Sequence, residues 1–222
     1  MVYARRLAPH LLFVLLTALV TLPVLRAPAS VVPNDFGDPA LNTWILWWGT
    51  KTVPLSAEWW NAPSFHPATG ALAFSEHLLG LVPFAAPIRA LGGGPQLAYN
   101  LLFVLSFLLS AEAAYALGRT LTGRRDAATL VGLAYGFAPY RMAHLAHLQI
   151  LASWWLPLGL SALHRFVRDG RPRWLLLFAG SFLLQSLTNG YLLLFSTVLF
   201  ALWIAWFPTG REVRDRTRVT AL

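Results

Sequence analysis

Long apolar runs separated by short connections that carry arginines are the feature that most constrains this chain. Of its 222 residues, 57% are hydrophobic and only 12% are charged, against roughly 25% charged in a typical soluble domain. Six runs approach the roughly 20 apolar residues that a helix needs to cross a bilayer. They cover residues 11–25, 97–117, 127–143, 148–163, 174–188 and 191–207. We therefore expect an all-α protein, a polytopic transmembrane helix bundle of about six spans.

The arginines predict the orientation of these spans. The chain has 17 lysines and arginines against 9 acidic residues, a formal net charge of +8. Most arginines fall near the N-terminus or within residues 119–125, 165–173 and 211–218. The positive-inside rule places all of these in the cytoplasm, which predicts a multi-pass protein of the plasma membrane with a cytoplasmic N-terminus. Outside the apolar runs there is no face that is both basic and aromatic, so we expect membrane lipid as a partner and no nucleic acid.

Residues 31–91 are the expected first outer loop, because closely spaced prolines break them into short juxtamembrane helices and turns. Residues 76–91 are apolar but contain Pro83 and Pro87. A span there would put the arginines of 119–125 outside, so we expect this segment only to dip into the membrane or lie along it. Residues 27–29 resemble a signal-peptidase site, and a cleaved signal peptide is the alternative for the first span. Both alternatives leave residue 30 onward outside.

The whole chain, residues 1–222, is expected to form a single membrane domain. Residues 209–222 would be a cytoplasmic tail that ends inside a loop. Because nothing after this tail closes the helix bundle, we expect the N-terminal part of a longer module, completed by a C-terminal partner segment.

Two carboxylates at the start of the outer loop are the first candidates for chemistry. Asp38 precedes a proline and an amphipathic run rich in tryptophan, where it can cap a helix or act as a general base at the membrane surface. Asp35, in the preceding turn, is the second choice. Asn42 lies one helical turn after Asp38 on the same face. The tryptophans of this helix predict that it lies at the headgroup level.

A second acidic group, Glu76, is followed by His77 where the next apolar helix begins. A carboxylate at that position is stabilised by the helix dipole. The functional alternative is that Glu76 faces Asp38 or orients the acceptor, with His77 beside it in the binding site.

The second outer turn carries Arg141, His144 and His147, followed by Gln149. Arg141 is a cation on the outer side, against the general bias of the arginines, and we expect it to bind a phosphate. The two histidines share a helix face as binding groups or caps. A divalent metal is the alternative, with Glu76 or His77 as a third ligand, although no metal site is assigned.

Two further polar positions complete the set. Asn189 lies in a third outer turn, as a substrate-binding residue or a simple turn residue. Glu112 lies inside the second apolar run, where an ionisable group is either functional or paired with an arginine. The absence of cysteine excludes thiolate catalysis and disulfides. Phosphate-binding glycine loops and hydrolase signatures are also absent.

The phrases GDPALNTWILWW, FHPATGALAFSEHLLG, FAPYRMAHLAHLQ and LTNGYLLL resemble a bacterial branch of YfhO-like membrane proteins. The layout resembles the GT-C class of membrane glycosyltransferases, which use polyprenyl-phosphate sugars. The resemblance implies that Asp38 is the first-loop catalytic aspartate and that the segment around His144 replaces the second-loop motif. That motif is acidic in the oligosaccharyltransferase relatives, whereas here it has histidines and Gln149. The resemblance covers only the N-terminal part of such a protein, since relatives carry more spans and an outer C-terminal domain.

The expected function is a hexosyl transfer from a polyprenyl-phosphate sugar donor to an acceptor on the outer face of the membrane. Asp38 would deprotonate the acceptor hydroxyl, and Arg141, with His144 or His147, would stabilise the leaving phosphate. A transporter or flippase is the first alternative and would depend on Glu112. A non-catalytic membrane scaffold is the second, with Asp38 as a cap and the tryptophans as anchors.

Overall fold

The computed structural model describes residues 2–209, with side chains from Arg6 to Phe207. This range is entirely helical apart from turns and irregular loops. Its α-helices are α1 (Val2–Val20), α2 (Leu22–Arg26), α3 (Asp38–Lys51), α4 (Ala57–Trp60), α5 (Val82–Ala90), α6 (Pro95–Thr122), α7 (Arg125–Gly136), α8 (Pro139–Ala143), α9 (Leu148–Leu151), α10 (Trp155–Asp169), α11 (Pro172–Ser186) and α12 (Gly190–Thr209). A 3-10 turn covers Ala71–Phe74. The expected tail of residues 209–222 lies outside the described residues apart from Thr209.

Helix α6 is the centre of the bundle. It contacts α1, α3, α5, α7, α9 and α10. Its closest partner, α7, approaches through glycines. A Cβ on Gly132 would lie 2.9 Å from the Ala111 carbonyl oxygen, and one on Gly136 would lie 2.6 Å from the Ala111 Cβ. Small residues spaced four apart allow two helices to pack backbone to backbone, a pattern common between membrane helices.

The all-α expectation is confirmed for the described residues, and the number of spans is not. Within that range, two helices are long and apolar enough to cross a membrane, Pro95–Thr122 and Gly190–Phe207, and Arg6–Val20 is apolar but shorter. The expected span 127–143 is wrong as one helix, because α7 ends at Gly136 ahead of Pro139. With 12 residues, α7 rises about 18 Å against a hydrocarbon core of about 30 Å.

The first outer loop folds against the bundle. Helix α3 packs on α5 and α6, with Ile45, Leu46 and Trp48 buried. The Trp48 indole donates to the Trp59 carbonyl oxygen at 3.0 Å. Trp48 is therefore part of the core, and Trp44 and Trp47 are partly buried against it. The depth of α3 in a membrane stays a prediction. Within residues 76–91 only Val82–Ala90 is helical, in agreement with the expectation that this segment does not form a full span.

The bundle has two chemically different ends. Near the start of α6, Asn100 donates to the carbonyl oxygens of Pro28 and Val31, both at 2.7 Å. Near its end, Arg165 donates to the Thr120 hydroxyl at 2.9 Å. These positions are 20 residues apart, about 30 Å along a helix. We call them the Asp38 end, where the outer loop begins, and the arginine end, where residues 119–125 and 165–173 meet.

Candidate polar site at the Asp38 end

Four side chains from two distant segments form the Asp38 cluster: Asp38, Asn42, His147 and Gln149. The Gln149 amide joins them, since its nitrogen donates to Asp38 Oδ2 at 3.3 Å and its oxygen accepts from the Asn42 nitrogen at 2.7 Å. His147 Nε2 lies 3.4 Å from the same Asp38 oxygen. The sequence expectation that Asp38 and Asn42 share a helix face, and that the second outer turn lies near them, agrees with this geometry.

Asp38 does not cap its helix. The N-cap position of α3 is Gly37, and no side-chain cap is made there. Asp38 Oδ2 faces the cluster, and no described group bonds to Oδ1. With a side-chain exposure of 43%, the carboxylate is accessible. One oxygen is therefore fixed by Gln149 and His147 while the other remains available to a ligand.

Asp35 is bonded within its own turn. One carboxylate oxygen accepts from the Gly37 backbone nitrogen at 2.8 Å, and the other accepts from the Asn34 amide at 2.7 Å. The side chain is exposed. Among the described contacts, none links Asp35 to the second outer turn, so the structure brings Asp38 and not Asp35 to the histidines.

The rings of His147, His144 and Tyr140 contact one another in a series that begins at the Asp38 cluster. The His147 ring lies 5.3 Å from that of His144, which lies 4.1 Å from that of Tyr140. His144 Nδ1 is 2.7 Å from the Tyr140 carbonyl oxygen. Because a carbonyl only accepts, the proton of neutral His144 is on Nδ1, and Nε2 is available. His147 Nδ1 is buried without a partner, consistent with a ring that carries its proton on Nε2 toward Asp38.

Arg141 faces inward. Its terminal nitrogens donate to the carbonyl oxygens of Ser106 and Leu151, both at 2.9 Å, and to the Ser153 hydroxyl at 3.0 Å. The residue is 4% exposed, and its Nε has no partner. The guanidinium also lies over the Phe107 ring at 5.1 Å. Its principal observed role is to join α8 and α9 to α6, which differs from the expected exposed phosphate ligand.

A cavity of about 240 Å³ lies beside Arg141. Its lining is Ala134, Tyr135, Ala138, Tyr140, Arg141, Ile150, Ser153 and Leu192. The expected function requires Asp38, Arg141 and His144 to act together, but of these three only Arg141 belongs to this lining. The ring series from Tyr140 to His147 is the observed connection between the cavity and Asp38.

Glu76 and His77 belong to a different contact. The Glu76 carboxylate accepts from the Gly190 backbone nitrogen at 2.8 Å, so it caps α12 and not the helix that follows it in sequence. The expected place at the start of that helix is wrong, since α5 begins only at Val82. His77 packs between Trp59 and Trp60, with ring centroids 5.5 and 6.0 Å away, and burial lowers its pKa.

Asn189 forms the start of α12. Its side-chain oxygen accepts from the Leu192 backbone nitrogen at 2.9 Å, as an N-cap does, and the residue is buried. Its side-chain nitrogen has no partner. Asn189 therefore has the role of a turn residue, and it precedes Gly190, whose backbone nitrogen donates to Glu76.

The divalent-metal alternative finds no third ligand. Among the described residues, no group of three or more histidine, cysteine, aspartate or glutamate side chains is placed to hold a metal ion. Glu76 and His77, the expected third ligands, are bound to Gly190 and to the tryptophans instead.

No protein-family model, curated protein or solved structure matches the chain. An accessible carboxylate held by an amide and an imidazole can accept a proton from a hydroxyl group.

Sequence reasoning missed the partner of Glu112. Glu112 lies 2.7 Å from His10 Nδ1 on α1, and not beside an arginine as expected. His10 lies inside the apolar helix α1. Ionisable residues in two different apolar runs indicate that the two side chains pair, and this signal could have identified the contact. The partners of Arg141 were also missed, because backbone carbonyls leave no mark in a sequence.

Proposed function

We propose that the chain is a glycosyltransferase-like protein of the bacterial inner membrane, with a cytoplasmic N-terminus. It would transfer a sugar from a polyprenyl-phosphate donor to an acceptor on the outer face. The observation that carries the proposal is the Asp38 cluster, in which an outer-loop carboxylate meets His147 and Gln149 across more than 100 residues of sequence. The fold as a whole places a carboxylate held in this way, in contrast to a local exposed pair such as Arg124 and Asp126.

The proposed step is a displacement at the anomeric carbon of the donor sugar. The acceptor oxygen forms a bond to that carbon, its proton passes to Asp38 Oδ1, and the bond from the carbon to the phosphate oxygen breaks. The leaving polyprenyl phosphate takes the bonding electrons. Gln149 and His147 keep Asp38 oriented, and the imidazolium form of His144, which carries a proton on Nε2 as well as on Nδ1, would donate to the phosphate. Arg141 would contribute by holding α8 and α9 in place.

Membrane insertion is supported by three features of the described residues. α6 and α12 are long and apolar, α7 packs on α6 through glycines, and the arginines lie at the end of α6 opposite Asp38. Exposed leucines also cover α1, with Leu11 at 65% and Leu19 at 58% exposure. In water these side chains would be an unusually large apolar surface, whereas in a bilayer they contact lipid.

Sidedness is testable because the chain contains no cysteine. Phe36→Cys and Arg125→Cys each introduce one exposed thiol, at the Asp38 end and at the arginine end. In intact cells a membrane-impermeant maleimide should label Phe36→Cys only, and both variants should react after the membrane is opened. Labelling of both in intact cells would contradict the membrane orientation and the outer-face site with it.

Catalysis is tested with the protein in lipid nanodiscs and a polyprenyl-phosphate sugar as donor. Asp38→Asn keeps the shape and the hydrogen bond from Gln149 but removes the base, and should lower the transfer rate by about 10²–10⁴-fold. Asp35→Asn is the matched control and should retain most of the rate, since Asp35 is bonded only within its turn. A full transfer rate in Asp38→Asn would show that Asp38 is not the base, whereas no transfer by the unmodified chain would favour the non-catalytic scaffold.

A further inference from the structure

A second cavity lies apart from the Asp38 cluster, between α5, α6 and α10. Its volume is about 380 Å³, within the roughly 300–1,000 Å³ of known ligand pockets. Its lining is Phe84, Leu109, Glu112, Ala113, Ala116, Trp154, Trp155 and Leu158. None of these residues contributes to the Asp38 cluster or to the cavity beside Arg141.

The lining combines aromatic rings with one carboxylate. The Phe84 ring lies 6.3 Å from that of Trp154 and 5.8 Å from that of Trp155, and the two tryptophan rings are 5.8 Å apart. Glu112 is the only charged residue in the lining. Among the described side chains its one ion-pair partner is His10, with both carboxylate oxygens 2.7–2.8 Å from Nδ1. The carboxylate therefore has no permanently charged partner.

We propose that this cavity binds a hydrophobic organic cation, such as an alkyl- or arylammonium or a phosphonium ion. Aromatic faces attract a cation, and the attraction strengthens when water is excluded. Glu112 supplies the countercharge, because a hydrogen bond from a neutral His10 leaves the negative charge of the carboxylate in place. A neutral acyl chain would fill the space without compensating this charge, and an anion would be repelled by it. Charge complementarity thus selects the occupant.

The test is equilibrium dialysis of radiolabelled tetraphenylphosphonium against the full chain in nanodiscs, with empty nanodiscs as the blank. Tetraphenylborate has the same shape and the opposite charge, and should show no saturable binding. Glu112→Gln removes the charge with little change in volume, and should weaken phosphonium binding at least about tenfold. Ala116→Phe fills the cavity while leaving the His10–Glu112 pair in place, and should weaken binding comparably. Glu58→Gln, which changes an exposed carboxylate of the outer loop, should bind as the unmodified chain does.

Thermal unfolding followed by tryptophan fluorescence shows which variants fold. Lost binding in folded Glu112→Gln supports the proposal, and if that variant does not fold, lost binding in Ala116→Phe does so. The proposal is overturned if the unmodified chain shows no saturable binding, if tetraphenylborate binds equally, or if the folded variants bind as the unmodified chain does. The site is independent of glycosyl transfer, so these outcomes stand whether or not Asp38 is catalytic.

Discussion

The two ends of the bundle hold their polar groups in different ways. At the Asp38 end, contacts join segments far apart in sequence, such as Asn42 with Gln149 and Glu76 with Gly190. At the arginine end they are mostly local, as in Arg124 with Asp126 and Arg168 with Asp169. Both pairs of the second kind are exposed on at least one side chain.

This difference distinguishes contacts that depend on the tertiary fold from contacts that form between neighbours on the surface. A contact between distant segments can form only when the fold is complete, so it fixes the position of its groups. A contact between sequence neighbours on the surface contributes little and restrains little, because water competes for both partners. The Asp38 end is therefore the part of the molecule where precise placement of polar groups is expected, and the arginine end is the part where only their charge is needed.

The largest contrast is expected between two arginines. Arg141→Met removes three hydrogen bonds from a buried charged donor, at a cost of about 3 kcal/mol in the free energy of unfolding. Arg124→Met removes an exposed pair and should have a much smaller effect, since water competes for both partners. Denaturant titration followed by tryptophan fluorescence measures both. Equal effects would show that the ends do not differ in this way.

Two glycines test the contact between the outer loop and the third outer turn. A Cβ on Gly80 would lie 2.1 Å from the Leu184 carbonyl oxygen, so Gly80→Ala should destabilise by about 1–3 kcal/mol through overpacking. Gly180→Ala, inside α11 with open space around it, is the control and should stabilise by about 0.5–1 kcal/mol. The same titration reports both variants. If Gly80→Ala is as stable as the unmodified chain, the loop does not rest on this turn.

A carboxylate from each end gives a smaller contrast. Glu76→Ala removes the acceptor from the first turn of α12 and should cost about 1 kcal/mol. Asp126→Ala removes an exposed pair within the first turn of α7 and should have a smaller effect, since water replaces most of its contacts. Thermal unfolding in nanodiscs orders the two variants. A larger loss in Asp126→Ala would reverse the comparison.

The sequence predicted which polar groups lie at opposite ends of the bundle better than it predicted the lengths of the helices. Arginine clusters and apolar runs are periodic features, so the opposition of Asp38 and residues 119–125 along α6 follows from charge alone. The end of α7 at Gly136 depends on Pro139 and on close packing against Ala111, which periodicity does not register. The contact between Asp38 and Gln149 could be predicted only by knowing that their two segments pack together. Arg141 faces inward because it donates to backbone carbonyls of α6 and α9. Every residue has a backbone carbonyl, so the sequence does not show which ones it will contact.

The two ends should also lose stability in different pH ranges. At the Asp38 end, burial lowers the pKa of His77 below its ordinary value of 6.5. The unfolded chain then binds the proton more readily, so the stability contributed by neutral His77 is complete above about pH 6.5 and falls as the pH drops below it. At the arginine end, the hydrogen bond from Arg124 lowers the pKa of Asp126 to about 2. Its contribution is present above the ordinary value of 3.8 and is lost only as the pH falls toward 2.

His77→Gln should therefore flatten the stability profile below about pH 6.5, measured by denaturant titration at each pH. This effect should be the smallest of the series, because it depends on the surroundings of one side chain. His66→Gln, which changes an exposed histidine of the same loop, should keep the slope of the unmodified chain. Asp126→Asn should change the profile only near pH 2–4. If His77→Gln keeps the slope and His66→Gln removes it, the tryptophans do not desolvate His77, and the outer loop is packed less tightly than the contacts of Trp59 and Trp60 indicate.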